Sequence, residues 1–192
     1  MQYREHIIYT GEKFYVPENI QRIDIDYPKS THGWQVRYAG KTKFFSDHNS
    51  ERIGAEQALQ QAIVHLTKMI DKYRAPTSLR RQTSPRKKTD LPLGISGPLM
   101  RVNKGRNTVE YNYSISIPRF GLKPTTKRVY IGTDKTFSPA KCRAALKRAK
   151  EIRKEAEKAY ILAATEARRA DNELLLEMSH WTEADIASHQ SH

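Results

Sequence analysis

Asp47, His48 and Asn49 stand side by side, a carboxylate, an imidazole and an amide in the order with which some metal-dependent nuclease sites begin. Such a site needs further preorganised ligands, and no second metal-binding cluster follows in the sequence. His189 and His192 form a His-x-x-His pair, but they lie in a polar terminal stretch that reads as frayed. Gly94-Ile95-Ser96-Gly97 has the glycines of a phosphate loop without its Lys-Ser/Thr ending. Cys142 is the single cysteine, so neither an internal disulfide nor a thiolate metal cluster can form. Set among Ala145, Leu146 and Ala149, it fits a small core residue better than a nucleophile. An Arg/His/Tyr recombinase constellation needs a larger catalytic domain than this chain can hold. The residue types therefore predict no enzyme, no metal, no cofactor and no small-molecule substrate, and they turn attention to side chains that bind.

Those side chains are cations. The chain has 192 residues, with 34 Lys and Arg against 21 Asp and Glu, a net charge of +13. Residues 74–138 hold 14 of the cations and 3 of the anions, which places +11 of the +13 in one third of the chain. A localised field of this kind attracts polyanions and releases counterions from a phosphate backbone, whereas a chain that is merely soluble mixes its charges. No apolar run approaches the ~18 residues of a membrane span, and Met1 to His6 lack the apolar core of a signal peptide. A soluble, cytoplasmic protein is expected.

The elements that must position these cations occur twice. In the first half, Trp34, Val36 and Tyr38 alternate with Gln35 and Arg37, Ala39-Gly40 reads as a tight turn, and Lys41 to Asp47 reads as a second strand. A further strand is expected at Arg22 to Tyr27, with Ile23 and Ile25 inward. From about Gly54 to Tyr73, Ala58, Leu59, Ala62, Ile63, Leu66, Met69 and Ile70 form one apolar stripe on a helix. Residues 74–90, with two prolines and no periodicity, read as a basic flexible linker.

After the linker the same order returns. A strand is expected from Leu93 to Val102, and Val109, Tyr111, Tyr113, Ile115 and Ile117 alternate with Glu110, Asn112, Ser114 and Ser116 in the clearest strand of the chain. Arg119 to Thr126 reads as a loop before a third strand, Lys127 to Thr133. Ser138-Pro139 supplies an N-cap followed by proline at the first helical position. The helix keeps near-heptad small and apolar spacing from Cys142 to Leu174, too long for one small sheet to cover. Its remainder must pack on another part of the chain or on a second copy, so a homodimer through this helix is one expectation.

The predicted fold class is α+β: two repeats of a three-stranded antiparallel sheet packed on one helix, with a long C-terminal helix. The expected organisation is a first repeat at 1–73 with an N-terminal extension, the linker at 74–90, a second repeat at 91–157, a helical continuation at 158–179 and a frayed tail at 180–192.

In order and in residues the two units resemble the Apetala-2 (ethylene-response-factor) DNA-binding domain, particularly its prokaryotic and phage forms. Leu93-Gly94-Ile95 stands where that family has its opening Gly-Val strand, and Arg128-Val129-Tyr130-Ile131-Gly132-Thr133 is similar to its Arg-Val-Trp-Leu-Gly-Thr run. In the first repeat, Gly33 to Tyr38, Phe45-Ser46-Asp47 and Ala55 to Ala62 resemble the bacterial form's strand, turn and Ala-Leu helix. The resemblance implies a three-stranded sheet laid in the major groove of double-stranded DNA, with the helix on the opposite face. By position it implies DNA contacts from Arg128 and Tyr130 and a phosphate-side role for Thr133. Lys41 and Lys43 take the corresponding outward places in the first repeat, with Arg37 and Gln35 on the neighbouring strand.

Charge and location add Lys127, Arg119, Arg101, Lys104 and Arg106 as candidates. The linker adds Arg80, Arg81, Arg86, Lys87 and Lys88, which can follow the backbone or enter an A·T-rich minor groove. Both repeats depart from the family on the first strand, where arginines are usual: the first places Asp24 and Asp26 there and the second Ser96 and Pro98, and because the first repeat is almost neutral the second repeat and linker are expected to carry most of the affinity. A tandem arrangement also lets the second engagement occur at raised effective concentration. The expected function is transcriptional regulation or nucleoid architecture by sequence-preferring duplex binding. Alternatives are an RNA-binding or ribosome-associated protein and a recombination accessory protein of a phage or mobile element. The expected location is cytoplasmic, at the nucleoid or in a phage host.

Overall fold

The computed structural model describes residues 3–27, 30–48, 54–80, 82, 89–103, 105 and 108–178. Arg81, Arg86, Lys87, Lys88, Lys104, Arg106, Asn49 and the tail with His189 and His192 lie outside the described residues. The chain is α+β, with antiparallel sheets of two, three and three strands and two helices among the described residues. It divides into two compact units, one formed by 1–76 with 165–192 and the other by 77–164.

The first unit opens with a hairpin of β1 (Tyr3–Ile7) and β2 (Lys13–Pro17), a pair hidden in the stretch expected as a mere extension. Gly11, at φ 88°, lets the chain reverse, and its N–H donates to the Ile8 carbonyl at 2.9 Å. The three-stranded sheet follows as β3 (Ile20–Ile25), β4 (Thr31–Tyr38) and β5 (Lys41–Ser46) in that spatial order. Ala39 and Gly40 both have positive φ, 50° and 76°, the backbone a two-residue hairpin turn of the primed type requires.

Helix α1 (Gly54–Lys72) buries Ala58, Leu59, Ala62, Ile63, Leu66 and Ile70 against this sheet, the stripe expected from the sequence. Trp34 is wholly buried at the centre, and its Nε1–H donates to the Ala55 carbonyl at 2.8 Å. Phe14 and His6 meet the Trp34 ring edge-on, so the N-terminal hairpin closes one side of the core. Removing a side chain of this size from such a site costs about 3–5 kcal/mol.

One expected phase is reversed. Ile25 is 48% exposed, whereas Arg22 is buried and Asp24 faces the same side, in register with Trp34 and His32. The cause is a polar network: Arg22 pairs with buried Asp47 through two hydrogen bonds, 3.0 and 2.6 Å, and with Asp24 at 2.9 Å. A guanidinium satisfied in this way can occupy an inward place that an isoleucine would otherwise fill.

In the second unit β6 (Ile95–Asn103), β7 (Thr108–Arg119) and β8 (Leu122–Thr133) form a meander in the order β6-β7-β8. The register of β6 shifts between Ser96 and Leu99, where Pro98 has no N–H to give to the ladder. The stretch from Arg119 to Thr126, expected as a loop, is instead mostly strand. Arg119 pairs with Leu122 across a tight turn closed by Gly121 at φ 68°. Ile95, Tyr113, Ile115, Val129 and Ile131 bury one face of this sheet against Ala145 and Ala149 of helix α2 (Pro139–Met178). Ser138 caps the helix as expected, its Oγ accepting from Lys141 N at 3.3 Å.

Helix α2 spans 40 residues without a break and serves both units. Its last part belongs to the first unit: Arg168 donates to Asn19 Oδ1 at 2.8 Å, Arg169 to the Asp71 carbonyl at 2.8 Å, and Asn172 to Asp71 Oδ1 at 2.9 Å. The stretch from Arg168 to Asn172 thus packs within the chain.

Candidate nucleic-acid interface

The sheet of the second unit has one face on α2 and one open face, and strand alternation decides which side chains the open face carries. Opposite partners share a face, so Ser96, Ser114 and Arg128 form one row across the three strands. Leu99, Asn112 and Tyr130 form the next, and Arg101 with Glu110 a third on β6 and β7. Ser116 and Thr126 extend the face toward the hairpin. Arg128 and Arg101 are exposed, and Tyr130 is 54% exposed although Val129 and Ile131 on either side are buried. The structure therefore brings Arg128, Tyr130 and Arg101 together on a surface that also carries the carboxylate of Glu110, Leu99, serines, an asparagine and a threonine.

Other candidates take different places. Lys127 is exposed but lies in the opposite phase, in register with buried Ile115, and it lines a cleft of about 460 Å³ with Lys141 and Arg148 of α2 that Arg128 and Tyr130 also border along β8. Arg119 donates through Nε and Nη2 to the Lys123 carbonyl at 3.0 and 2.8 Å, clamping its own hairpin. Thr133, half-buried at the end of β8, stands opposite Glu110 and so joins the Arg101 row, while its N–H donates to Thr136 Oγ1 at 2.9 Å in the turn toward α2. Arg80 is exposed and borders a groove shared with Lys150 and Lys154.

In the first unit Gln35 and Arg37 lie on the open face, with Arg37 Nε donating to Gln35 Oε1 at 2.6 Å. Lys41 and Lys43 do not occupy the outward places expected for them. Lys43 is in register with buried Val36 and Lys41 with buried Tyr38, so both stand on the α1 side of the sheet. The Lys43 Nζ sits 5.1 Å from the Phe45 ring centre and that of Lys41 sits 5.3 Å from Tyr73. On an edge strand a lysine can lay its stem over apolar surface and keep its head in water.

The sequence reading also missed an order of groups that resembles a hydrolytic relay. Ser30 Oγ lies 2.8 Å from His32 Nε2, and His32 Nδ1 lies 2.9 Å from Asp24 Oδ1. The same Asp24 oxygen also accepts from Arg22 Nε at 2.9 Å, and Tyr9 lies against the buried imidazole at 4.0 Å between ring centres. Burial raises the Asp24 carboxyl, but the hydrogen bonds from Arg22 and His32 outweigh it and hold the group below the usual carboxylate range. Among the described residues no group of three or more His, Cys, Asp and Glu is placed to hold a metal ion.

Compared with known proteins, the chain matches no family model, no curated protein and no solved structure.

The site must accordingly be judged on its own charges. Counted over the full sequence, the second unit has 21 Lys and Arg against 6 Asp and Glu, a net +15, and the first has 13 against 15, a net −2. The division of the chain sharpens the asymmetry, because α2 gives its basic part to the second unit and its more acidic part to the first. No helix among the described residues is long and apolar enough to cross a membrane.

Proposed function

We propose that the chain is a non-enzymatic, sequence-preferring double-stranded DNA-binding protein that reads the major groove with the open face of β6-β7-β8. The observation that carries this reading is the row arrangement of Arg128 and Tyr130 beside Ser114 and Asn112, on the sheet of a unit with net charge +15. Three strands about 4.8 Å apart place their outer members ~10 Å from each other. The major groove is ~12 Å wide and admits a surface of that width. An arginine there donates in pairs to guanine O6 and N7, an asparagine pairs with adenine N6 and N7, serines serve either, and Leu99 suits a thymine methyl. The exposed cations around the sheet supply the phosphate attraction that orients the reader without specifying sequence.

The proposal extends to an Apetala-2-like mode for both repeats, to regulatory or nucleoid-architectural work in the cytoplasm, and to unequal roles for the two units. The first unit, with its net −2 and inward-facing lysines, adds weak readout or a protein contact. The test is a gel-shift competition among duplex DNA, single strands and structured RNA at two salt concentrations. Equal competition by all three, with affinity lost at moderate salt, would reject sequence-preferring duplex recognition. RNA binding is the second reading, favoured by one observation: Tyr130 offers an exposed aromatic face on which an unpaired base can stack. Preferential competition by the structured RNA selects it.

A further inference from the structure

Helix α2 carries a second cationic surface that the open sheet face leaves unused. At 3.6 residues per turn, Arg143, Lys147, Lys150, Lys154 and Lys158 fall within a stripe about 80° wide on the side of the helix opposite Ala145, Ala149 and Ile152. All five are exposed, while Ala145 and Ala149 are buried against the sheet and Ile152 packs beside them. No carboxylate falls within the stripe: Glu151 and Glu157 flank it, and Glu157 is paired with Arg153 at 2.6 Å. A solvated helix face commonly mixes its signs, with acidic and basic side chains at neighbouring turns. Here Arg143 and Lys147, Lys150 and Lys154, and Lys154 and Lys158 stand four residues apart as like charges, an unfavourable spacing, while Glu151 stands four residues after Lys147 and Glu155 three before Lys158.

The stripe runs ~22 Å along the axis, a length over which duplex DNA presents about 13 phosphate charges. Because the sheet packs on α2 through its other face, the stripe, whose Lys150 and Lys154 border a groove that Thr77, Leu79 and Arg80 also line, and the open sheet face lie on different sides of one two-layer unit.

We propose that the stripe of Arg143, Lys147, Lys150, Lys154 and Lys158 binds the phosphate backbone of a second DNA duplex while the open sheet face engages the first, so that one chain bridges two duplexes. This inference rests on the duplex-binding reading of the sheet. The occupant follows from charge complementarity, a one-sign stripe suited to a regular polyanion. Because phosphate contacts alone are involved, recognition on this side is independent of sequence.

The experiment uses the full chain, a duplex fixed to beads and a fluorescent second duplex in solution. The test variant combines Arg143→Gln, Lys147→Gln, Lys150→Gln, Lys154→Gln and Lys158→Gln, changes that keep helix propensity and whose fold is checked by circular dichroism. The wild type is expected to hold the labelled duplex on the beads. The variant is expected to shift a single duplex within about threefold of wild type at low salt yet retain at least about tenfold less of the second. Undiminished retention by the variant overturns the proposal, as does a wild type that shifts one duplex but retains no second. Loss of single-duplex binding in the variant also overturns it, since the stripe then belongs to the first site. Preferential retention of labelled poly-glutamate over duplex by the wild type assigns the stripe to an acidic partner and overturns it too. If Arg128→Ala with Tyr130→Ala shifts a single duplex as wild type does, the sheet reading fails separately, while retention still judges the stripe.

Discussion

The guanidinium of Arg22 and the carboxylate of Asp47 meet side by side, Nη1 to Oδ1 at 3.0 Å and Nη2 to Oδ2 at 2.6 Å, with both side chains closed off from water. A third partner, Asp24, binds Arg22 Nε, so the cation is fully committed inside the first unit. Truncating one member of such a pair leaves a buried charge uncompensated. Asp47→Ala should therefore cost about 3–5 kcal/mol in urea unfolding, whereas Arg22→Leu with Asp47→Leu should cost less than that single change. A loss under about 1 kcal/mol for Asp47→Ala would show the pair to be solvent-screened.

The same network sets an acid limit. The folded Asp24 carboxyl lies below its usual range because Arg22 and His32 hydrogen bonds overcome the opposing effect of burial. A depressed carboxylate contributes stability that is present above its unfolded pKa, about 3.9, and is lost as pH falls through the folded value. Far-ultraviolet circular dichroism should show the wild type losing stability below pH ~4, and Asp24→Asn should flatten that dependence while lowering stability at neutral pH.

At the alkaline end the relevant group is in the second unit. Tyr113, 3% exposed, has its hydroxyl 3.0 Å from Cys142 Sγ, and burial first, then this hydrogen bond and the Cys142 charge, push its pKa up to about 12. A raised pKa of this kind contributes stability that is complete below the unfolded value near 10 and disappears as pH rises through the folded one. The stability of the second unit is therefore expected to fall between pH ~10 and ~12, with late tyrosinate absorbance that Tyr113→Phe removes. If the absorbance titration is the same in Tyr113→Phe, the phenol is not shielded.

The end of α2 is part of the first unit's stability. Asn172 Nδ2 donates to the Thr67 carbonyl at 3.3 Å and to Asp71 Oδ1 at 2.9 Å, and the side chain is buried. Asn172→Ala should cost about 1–3 kcal/mol by leaving α1 groups short of a partner. Asn172→Asp should cost more, because it sets a second carboxylate against Asp71. Trp34 fluorescence in a Trp181→Phe background reports on the first unit, and an unchanged midpoint would place the helix end off its surface.

How much of this was legible depends on whether the decisive contact is local. The alternation of β7, the Ala39-Gly40 turn, the α1 stripe and the Ser138 cap each follow from residues within a few positions, and all are present in the fold. The phase of β3 was not legible, because Arg22 turns inward only to meet Asp47, 25 residues away. Lys41 and Lys43 were misplaced for a related reason: their side of the sheet is set by register with Val36 and Tyr38, not by their charge. The α2 stripe was written in the spacing of 143, 147, 150, 154 and 158, but the apolar periodicity of the same helix drew the reading to its other side.

The open face of the second sheet yields the sharpest functional expectation. Arg128 and Tyr130 project from β8 on the side away from α2, and neither side chain belongs to the core, so replacing both with alanine should leave the fold intact. If they touch duplex DNA, the double variant should bind about 10- to 100-fold more weakly, since a good bidentate base contact contributes ~1–3 kcal/mol of discrimination. Arg101→Ala should act mainly through charge, lowering affinity on all sequences alike and reducing the slope of log affinity against log salt by about 0.9 if it neutralises one phosphate. Ile131, 3% exposed between these positions, separates binding from folding. Ile131→Asp buries a carboxylate with no cation to meet it and should unfold the second unit outright. Wild-type duplex affinity in Arg128→Ala with Tyr130→Ala would remove the sheet from the interface, whatever the rest of the charge does.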